Sequence, residues 1–406
     1  MNSLPKRSLW AGRTLALLGI VLLALNLRTA VAAISPIVDL VSGDIALDPV
    51  GLGVLGMLPP LAFATSGLLA PTVAKRIGLE TTIVLACLAM IVGSLVRAIA
   101  PNYLVLIVGS ILALAGMGFG NIVLPPAVKK YFPDRIGQVT AAYATILALS
   151  ASIPAILAAP VAGMSGWRVS VGLWAVLALL ALLPWLAVWR AHRADVRAAA
   201  SAGEVPEAPG EMVGRMWRSR TAWTIGLTFA VSALNAYALF AWLPEILADI
   251  AGVDTVQAGA LLSLYALIGL PFSLLVPILA VRLRSVSPII FAGVACFLLG
   301  YTGLLLAPTT LTWLWVLLAG SGPLIFPLCL VLINLRTRSP QASVALSGVV
   351  QSIGYGVGSL GPLVVAVIHT STGGWTAPLM FLLVTALGGI VTGIILRKPR
   401  YVEDEI

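Results

Sequence analysis

Charge is scarce in this chain. Only 10% of its 406 residues are Asp, Glu, Lys or Arg, against about 25% in a soluble domain. Acid is scarcer than base: 15 Asp and Glu stand against 24 Lys and Arg, a net charge of +9. With 60% hydrophobic residues and a mean hydropathy of +1.06, this composition excludes an ordinary water-soluble domain. Cysteine and histidine are nearly missing, with three and two copies. Cys87, Cys296 and Cys329 all lie inside apolar runs and read as small core hydrophobes. His192 and His369 sit in no metal-ligand spacing, and no nucleophile motif occurs. No metal, no cofactor and no membrane-embedded enzyme is therefore expected.

What the chain does have is apolar runs of about 20 residues, long enough to cross a bilayer. They predict helices near 14–40, 51–74, 80–99, 102–127, 137–162 and 167–190, and again near 221–248, 255–281, 286–306, 311–334, 342–368 and 375–397. The only long polar stretch, 190–220, is rich in Ala, Gly, Pro and charge and reads as a flexible linker. The expected organisation is an N-terminal six-helix bundle over 1–190, a cytoplasmic linker over 191–220 and a C-terminal six-helix bundle over 221–406. The first apolar run mimics a signal peptide, but Arg28 interrupts its end, and the run continues beyond the Ala-rich stretch at 30–33. It is read as a retained helix.

The two sets of runs repeat each other. "DPVGLG" at 48–53 matches "DTVQAG" at 254–259, an offset of 206. Ala100-Pro101 matches Ala307-Pro308, Gly166-Trp167 matches Gly374-Trp375, and Leu25-Asn26 matches Leu234-Asn235, at offsets of 207, 208 and 209. A nearly constant offset implies two similarly oriented halves, related by a pseudo-two-fold axis along the membrane normal. Of the 24 Lys and Arg, 21 fall in the N-terminal tail, the linker, the C-terminal tail and the loops of one side. The positive-inside rule then places both termini in the cytoplasm, and short basic clusters between apolar runs argue against nucleic-acid binding.

Twelve spans, a 6+6 repeat and a basic central linker resemble the major facilitator superfamily. "PTVAKRIG" at 71–78 is similar to that superfamily's G-x-x-x-D-R-x-G loop. Pro71 replaces its first glycine and Lys75 its acid, so Lys75, Arg76 and Gly78 are the expected gating-loop residues of an altered motif. "NLRTAVAAISPI" (26–37), "GNIVLPPAVKKYFPDR" (120–135), "FAWLPEIL" (240–247) and "QSIGYGVGSLGP" (351–362) together resemble the cyanate/nitroimidazole transporter branch, along the whole chain. This resemblance implies an all-α fold of two six-helix bundles and a secondary transporter of a small, anionic or nitro-bearing solute.

Arg28 is the focus of the reading, because no other charge occurs between Arg13 and Asp39. An arginine at mid-bilayer costs roughly 2.5–3.5 kcal/mol on the most lenient scales. Asp39 lies eleven residues further on, about 16 Å at 1.5 Å per residue. No acidic residue is expected at Arg28's depth, so its expected partners are carbonyls, hydroxyls, water or a substrate anion. A planar guanidinium fork suits carboxylate-like or nitro oxygens. The alternatives are a structural arginine bonded to the carbonyls of an opened helix, and a gating role.

Under the 209 offset Tyr237 takes the place of Arg28, and Trp242 lies seven residues, one helical face, beyond Asn235. Asn121, Tyr143, Gln351 and Tyr355 are further polar groups at mid-depth, and Gln351 and Tyr355 share a face. Arg28, Tyr237, Trp242, Asn121, Gln351, Tyr355 and Tyr143 are the substrate-binding candidates; packing between helices is the alternative for each aromatic and amide. Asp39, Glu245 and His369, all near outer helix ends, are the candidates for proton coupling. Two G-x-G-x-x-G matches, at 51–56 and 356–361, lie in apolar runs and read as close-packing sites rather than a dinucleotide fingerprint. Pro36, Pro125, Pro126, Pro154, Pro160, Pro244, Pro271, Pro327 and Pro362 read as kinks.

The sequence thus predicts a monomeric, multi-pass transporter of the inner (cytoplasmic) membrane working by alternating access. Its expected partners are a small anionic substrate, the lipid bilayer and protons. The alternative is a proton-driven multidrug exporter with a broad apolar pocket, which would depend little on Arg28.

Overall fold

The computed structural model describes residues 13–45, 49–201 and 212–406. Among them there is helix and no strand. The first part of the chain forms α1 (Thr14–Asn26), α2 (Thr29–Ala32), α3 (Val38–Asp44), α4 (Pro49–Ile77), α5 (Leu79–Ala98), α6 (Tyr103–Tyr131), α7 (Ile136–Ser165), α8 (Trp167–Gly172) and α9 (Trp174–Ser201). After α10 (Met212–Met216) come α11 (Arg220–Ala251), α12 (Thr255–Leu267), α13 (Gly269–Arg282), α14 (Ser287–Leu306), α15 (Thr312–Ser321), α16 (Ile325–Leu335), α17 (Pro340–Gly358), α18 (Leu360–Thr372) and α19 (Thr376–Ile395). Among the described residues, eleven helical segments are long and apolar enough to cross a membrane. The remaining expected span, 51–74, lies within the 29-residue helix α4.

Five of the expected continuous spans are interrupted, the one at 167–190 by a break at Leu173 between α8 and α9. The run expected at 14–40 stops at Asn26, restarts at Thr29 and passes through a 3-10 turn at Ser35–Ile37 that carries Pro36. The runs at 255–281, 311–334 and 342–368 break before α13, α16 and α18. Pro271, Pro327 and Pro362 each stand third in the restarted helix. That is where a missing N–H costs nothing, because the first four amides of a helix have no partner in it. Pro125, Pro126, Pro154, Pro160 and Pro244 instead lie inside continuous helices.

The chain divides into two compact units, Met1–Arg215 with Ser339–Gly348, and Met216–Arg338 with Val349–Ile406. In the first, α5 packs along α6 and α9, and α1 lies against α9 and α7. In the second, α14 packs along α15 and α19, and α11 contacts α19, α12, α18 and α16.

Equivalent contacts recur in each unit at the offset of the sequence repeat. Trp167 Nε1 donates to Asp44 Oδ2 at 2.9 Å, and Trp375 Nε1 donates to Asp249 Oδ2 at 2.8 Å. Asn26 Nδ2 donates to the Leu177 carbonyl on α9, and Asn235 Nδ2 to Thr385 Oγ1 on α19. A Cβ at Gly93 would lie 2.3 Å from the Ala113 amide nitrogen, and one at Gly300 would lie 2.6 Å from that of Ala319. Both glycines let two helix backbones touch, as small residues do in membrane helix pairs. Gly354 and Gly358 pack against the side chains of Phe229 and Ala233 and Gly361 against the Leu234 carbonyl, whereas Gly56 faces open space, so close packing holds for the second glycine motif and not at Gly56.

The altered loop at 71–78 ends at Gly78, whose φ of +87° requires glycine between α4 and α5. Lys75 and Arg76 are exposed in the last turn of α4. Glu80, in the first turn of α5 just after this loop, is 1% exposed. Its carboxylate pairs with Lys130 Nζ at 2.5 Å, accepts from Tyr131 Oη at 2.6 Å and has His192 Nε2 at 3.5 Å. Arg13 joins this end of the unit, donating to Asp134 at 2.6 Å and to the Tyr131 carbonyl at 3.0 Å.

Candidate functional site

The interruption of the first span is built from its own polar residues. Leu27 N bonds back to the Ala24 carbonyl rather than a full helical turn, and Arg28 takes φ −128°, ψ −1°. Each helical amide lost this way leaves a carbonyl that must find another donor inside a bilayer. Thr29 Oγ1 donates to the Asn26 carbonyl at 2.9 Å, and Asn26 Nδ2 donates to the Leu22 carbonyl at 2.8 Å as well as to Leu177. The α2 ladder runs from Ala32 to Arg28 and from Ala33 to Thr29. The next carbonyl, that of Ala30, accepts from Arg97 Nη2 of α5 at 3.2 Å.

Arg28 projects from this break, half-buried. Its guanidinium carbon lies 4.9 Å from the ring centre of Phe63, a buried residue of α4, and Nη1 is 3.5 Å from the Leu27 carbonyl. A guanidinium on an aromatic face keeps its in-plane N–H fork directed sideways, and desolvation strengthens the contact to about 2 kcal/mol. Sequence reading had no signal for Phe63, one aromatic in an apolar helix. Arg97 stands near the end of α5, and residue order carried no signal that its side chain turns inward, where it is 1% exposed against the first span.

The other candidates fall in both units. In the first, Asn121 and Tyr143 are buried, and Asn121 Nδ2 donates to the Met117 carbonyl at 3.2 Å. The backbone of Asp39 belongs to α3, while its side chain lies outside the described residues. In the second, Tyr237 is half-buried and a Cβ at Gly358 would meet its ring at 3.3 Å. Tyr355 and Gln351 are buried in α17, and Tyr355 sits edge-to-face with Phe229 at 5.1 Å. Trp242 Nε1 donates to the Pro362 carbonyl at 2.9 Å, and its ring is 5.9 Å from that of Trp375. His369 stacks on the same Trp375 at 3.9 Å. Trp242 and His369, expected to serve substrate and proton respectively, thus share one aromatic cluster. Glu245 is exposed.

A family profile described as Major Facilitator Superfamily matches residues 16–362. The uncharacterized transporter YycB of Bacillus subtilis (strain 168) is 31% identical over 388 residues, 95% of this chain and 94% of the relative. The 2-nitroimidazole transporter of Escherichia coli (strain K12) is 31% identical over 394 residues, 96% and 97% of the two chains. The cyanate transport protein CynX of the same organism is 25% identical over 390 residues, 95% and 98%. Among solved structures, the transporter FucP in the outward conformation matches with a TM-score of 0.74 at 12% identity, over 97% of this chain and 100% of that one. At that identity the likeness speaks for the fold alone.

Proposed function

The chain belongs to the major facilitator superfamily as a multi-pass membrane transporter, and on that premise we propose that it moves a small anionic or nitro-bearing solute across the bacterial inner membrane by alternating access. The observation that carries the proposal is Arg28 at the break of the first span. Irregular backbone at membrane depth is tolerated where it is buried in protein or lines a cavity, and broken helices mark binding sites in transporters. The planar fork of a guanidinium there suits the oxygens of a small anion. Two relatives matched over nearly their whole length, a 2-nitroimidazole transporter and a cyanate transport protein, are named for such solutes.

In this reading Arg28 holds the solute's negative oxygens or nitrogen with its planar fork, while Phe63 fixes the plane of the guanidinium. Asn121 and Tyr143 in the first unit, and Tyr237, Trp242, Gln351 and Tyr355 in the second, are the further contacts to test. Asp39, Glu245 and His369 remain the groups to test for proton coupling. The transporter is proposed to act as a monomer.

The test is thermal stability of detergent-purified protein with cyanate, nitrate, 2-nitroimidazole and small carboxylates, beside cationic drugs. A ligand of the folded state adds about 2.7 kcal/mol at 100 times its dissociation constant. An anionic or nitro compound is expected to stabilise the wild type and to bind Arg28→Ala with a weaker but measurable affinity. Unchanged apparent affinity in Arg28→Ala would remove Arg28 as the anchor. Equal stabilisation of both proteins by cationic drugs would favour the multidrug exporter.

A further inference from the structure

Arg97 is the most thoroughly buried charge that the proposed mechanism does not use. It sits one residue from the end of α5, 1% exposed, and among the described residues it forms no ion pair. Its Nε is buried without a hydrogen-bond partner. Its one hydrogen bond runs from Nη2 to the Ala30 carbonyl, 67 residues away in sequence and two residues beyond Arg28. A buried guanidinium without a carboxylate is expensive. Packing alone does not explain it, since a leucine or methionine would fill the space without that cost.

The bond it makes is a specific one. Ala30 is the first residue whose carbonyl the short α2 ladder no longer serves. Arg97 therefore stabilises the interrupted backbone in the place of a helical amide. Its own position is set closely: a Cβ at Gly109 would lie 2.8 Å from the Arg97 amide nitrogen and 2.9 Å from its Cγ, so α6 presses directly on this residue.

The geometry points to Arg97 as a positioning residue for Arg28. By holding the Ala30 carbonyl, two residues beyond Arg28, it fixes the break from which Arg28 projects. This inference rests on the proposed role of Arg28. It predicts that removing Arg97 weakens anion binding through Arg28 and not independently of it.

The experiment is a double-mutant cycle. Arg97→Gln keeps an N–H donor but removes the charge; Arg97→Lys keeps the charge but replaces the planar fork. Each is made alone and with Arg28→Ala, and the apparent affinity for cyanate and for 2-nitroimidazole is read beside the melting temperature. Arg97→Gln is expected to weaken anion binding about tenfold when Arg28 is present and not at all in Arg28→Ala, a coupling near 1.4 kcal/mol. Arg97→Lys is expected to weaken it less, again only with Arg28 present. A melting temperature that falls while affinity stays unchanged would overturn the proposal, as would equal losses with and without Arg28.

A second readout needs no solute and separates failure of this inference from failure of the Arg28 anchor. Arg28→Cys, in a chain lacking Cys87, Cys296 and Cys329, is reacted with a charged thiol reagent. Arg97→Gln, or Arg97→Lys should the glutamine variant not fold, is expected to change the reaction rate several-fold. An unchanged rate would show that Arg97 does not position residue 28, whatever the protein binds.

Discussion

Glu405 accepts three hydrogen bonds at the start of α11, from Ser219 Oγ at 2.7 Å, Thr221 N at 2.9 Å and Thr221 Oγ1 at 2.6 Å. Beside it Asp404 receives both Nη atoms of Arg338, and Glu403 accepts from the Arg338 amide. Burial pushes the Glu405 carboxyl up, but the bonds from Thr221 and Ser219 outweigh it and hold the group below its ordinary value of 4.5. A depressed carboxyl stabilises the folded state above the unfolded value, and that contribution disappears as pH falls through the lower folded value. Melting temperature in mild acid is therefore expected to fall less steeply in Glu405→Gln than in the wild type. At neutral pH the substitution is expected to cost about 1 kcal/mol, as loss of a helix cap does. Equal acid sensitivity in the two proteins would rule this out. Sequence reading found no role for this carboxylate, since the residues it caps lie 184 and 186 positions away. Arg28 was legible because a charge inside an apolar run stands out by itself, whereas the burial of Arg97 was not legible, because distance along a helix says nothing of which way a long side chain turns.

At the scale of elements, the helix crossings at Gly93 and Gly300 bring backbones into contact. A methyl group at either position has nowhere to go except between two main chains. Overpacking of this kind costs roughly 1–3 kcal/mol. Gly93→Ala and Gly300→Ala are each expected to lower the melting temperature, and Gly56→Ala, where no atom lies within 4 Å, is expected to hold or raise it. A Gly300→Ala protein as stable as the wild type would contradict the contact. Apolar length and the half-chain repeat revealed the elements, because hydrophobic thickness and offset are read directly from residue order. Interruptions were less legible. Proline marked Pro36, Pro271, Pro327 and Pro362 as sites of change, yet five other prolines sit in unbroken helices, and the break at Leu27–Arg28 has no proline at all. Side chains from elsewhere, Arg97 among them, take up the freed carbonyl there.

For the whole molecule, 21 of 24 basic residues fall on one predicted side. The positive-inside rule makes that side cytoplasmic. In a chain lacking the native cysteines, Lys75→Cys and Arg397→Cys are expected to react with an impermeant thiol reagent only when the inner membrane is inverted, and Arg168→Cys only in intact cells. The reverse pattern would overturn the proposed orientation. Residue order by itself determined that this chain lives in a bilayer, that it is helical, that it repeats with an offset near 208, and that Arg28 is a cation needing an explanation. Each follows from a one-dimensional quantity: apolar run length, period, or the rarity of charge in oil. Only the tertiary structure decided that residues 339–348 belong with the first unit, that Glu80 is buried on Lys130 and Tyr131, and that Arg97 reaches the carbonyl of Ala30 beside the break at Arg28. Those facts depend on which backbone groups are left unsatisfied and which distant side chain reaches them, and such distances arise only when the chain has packed.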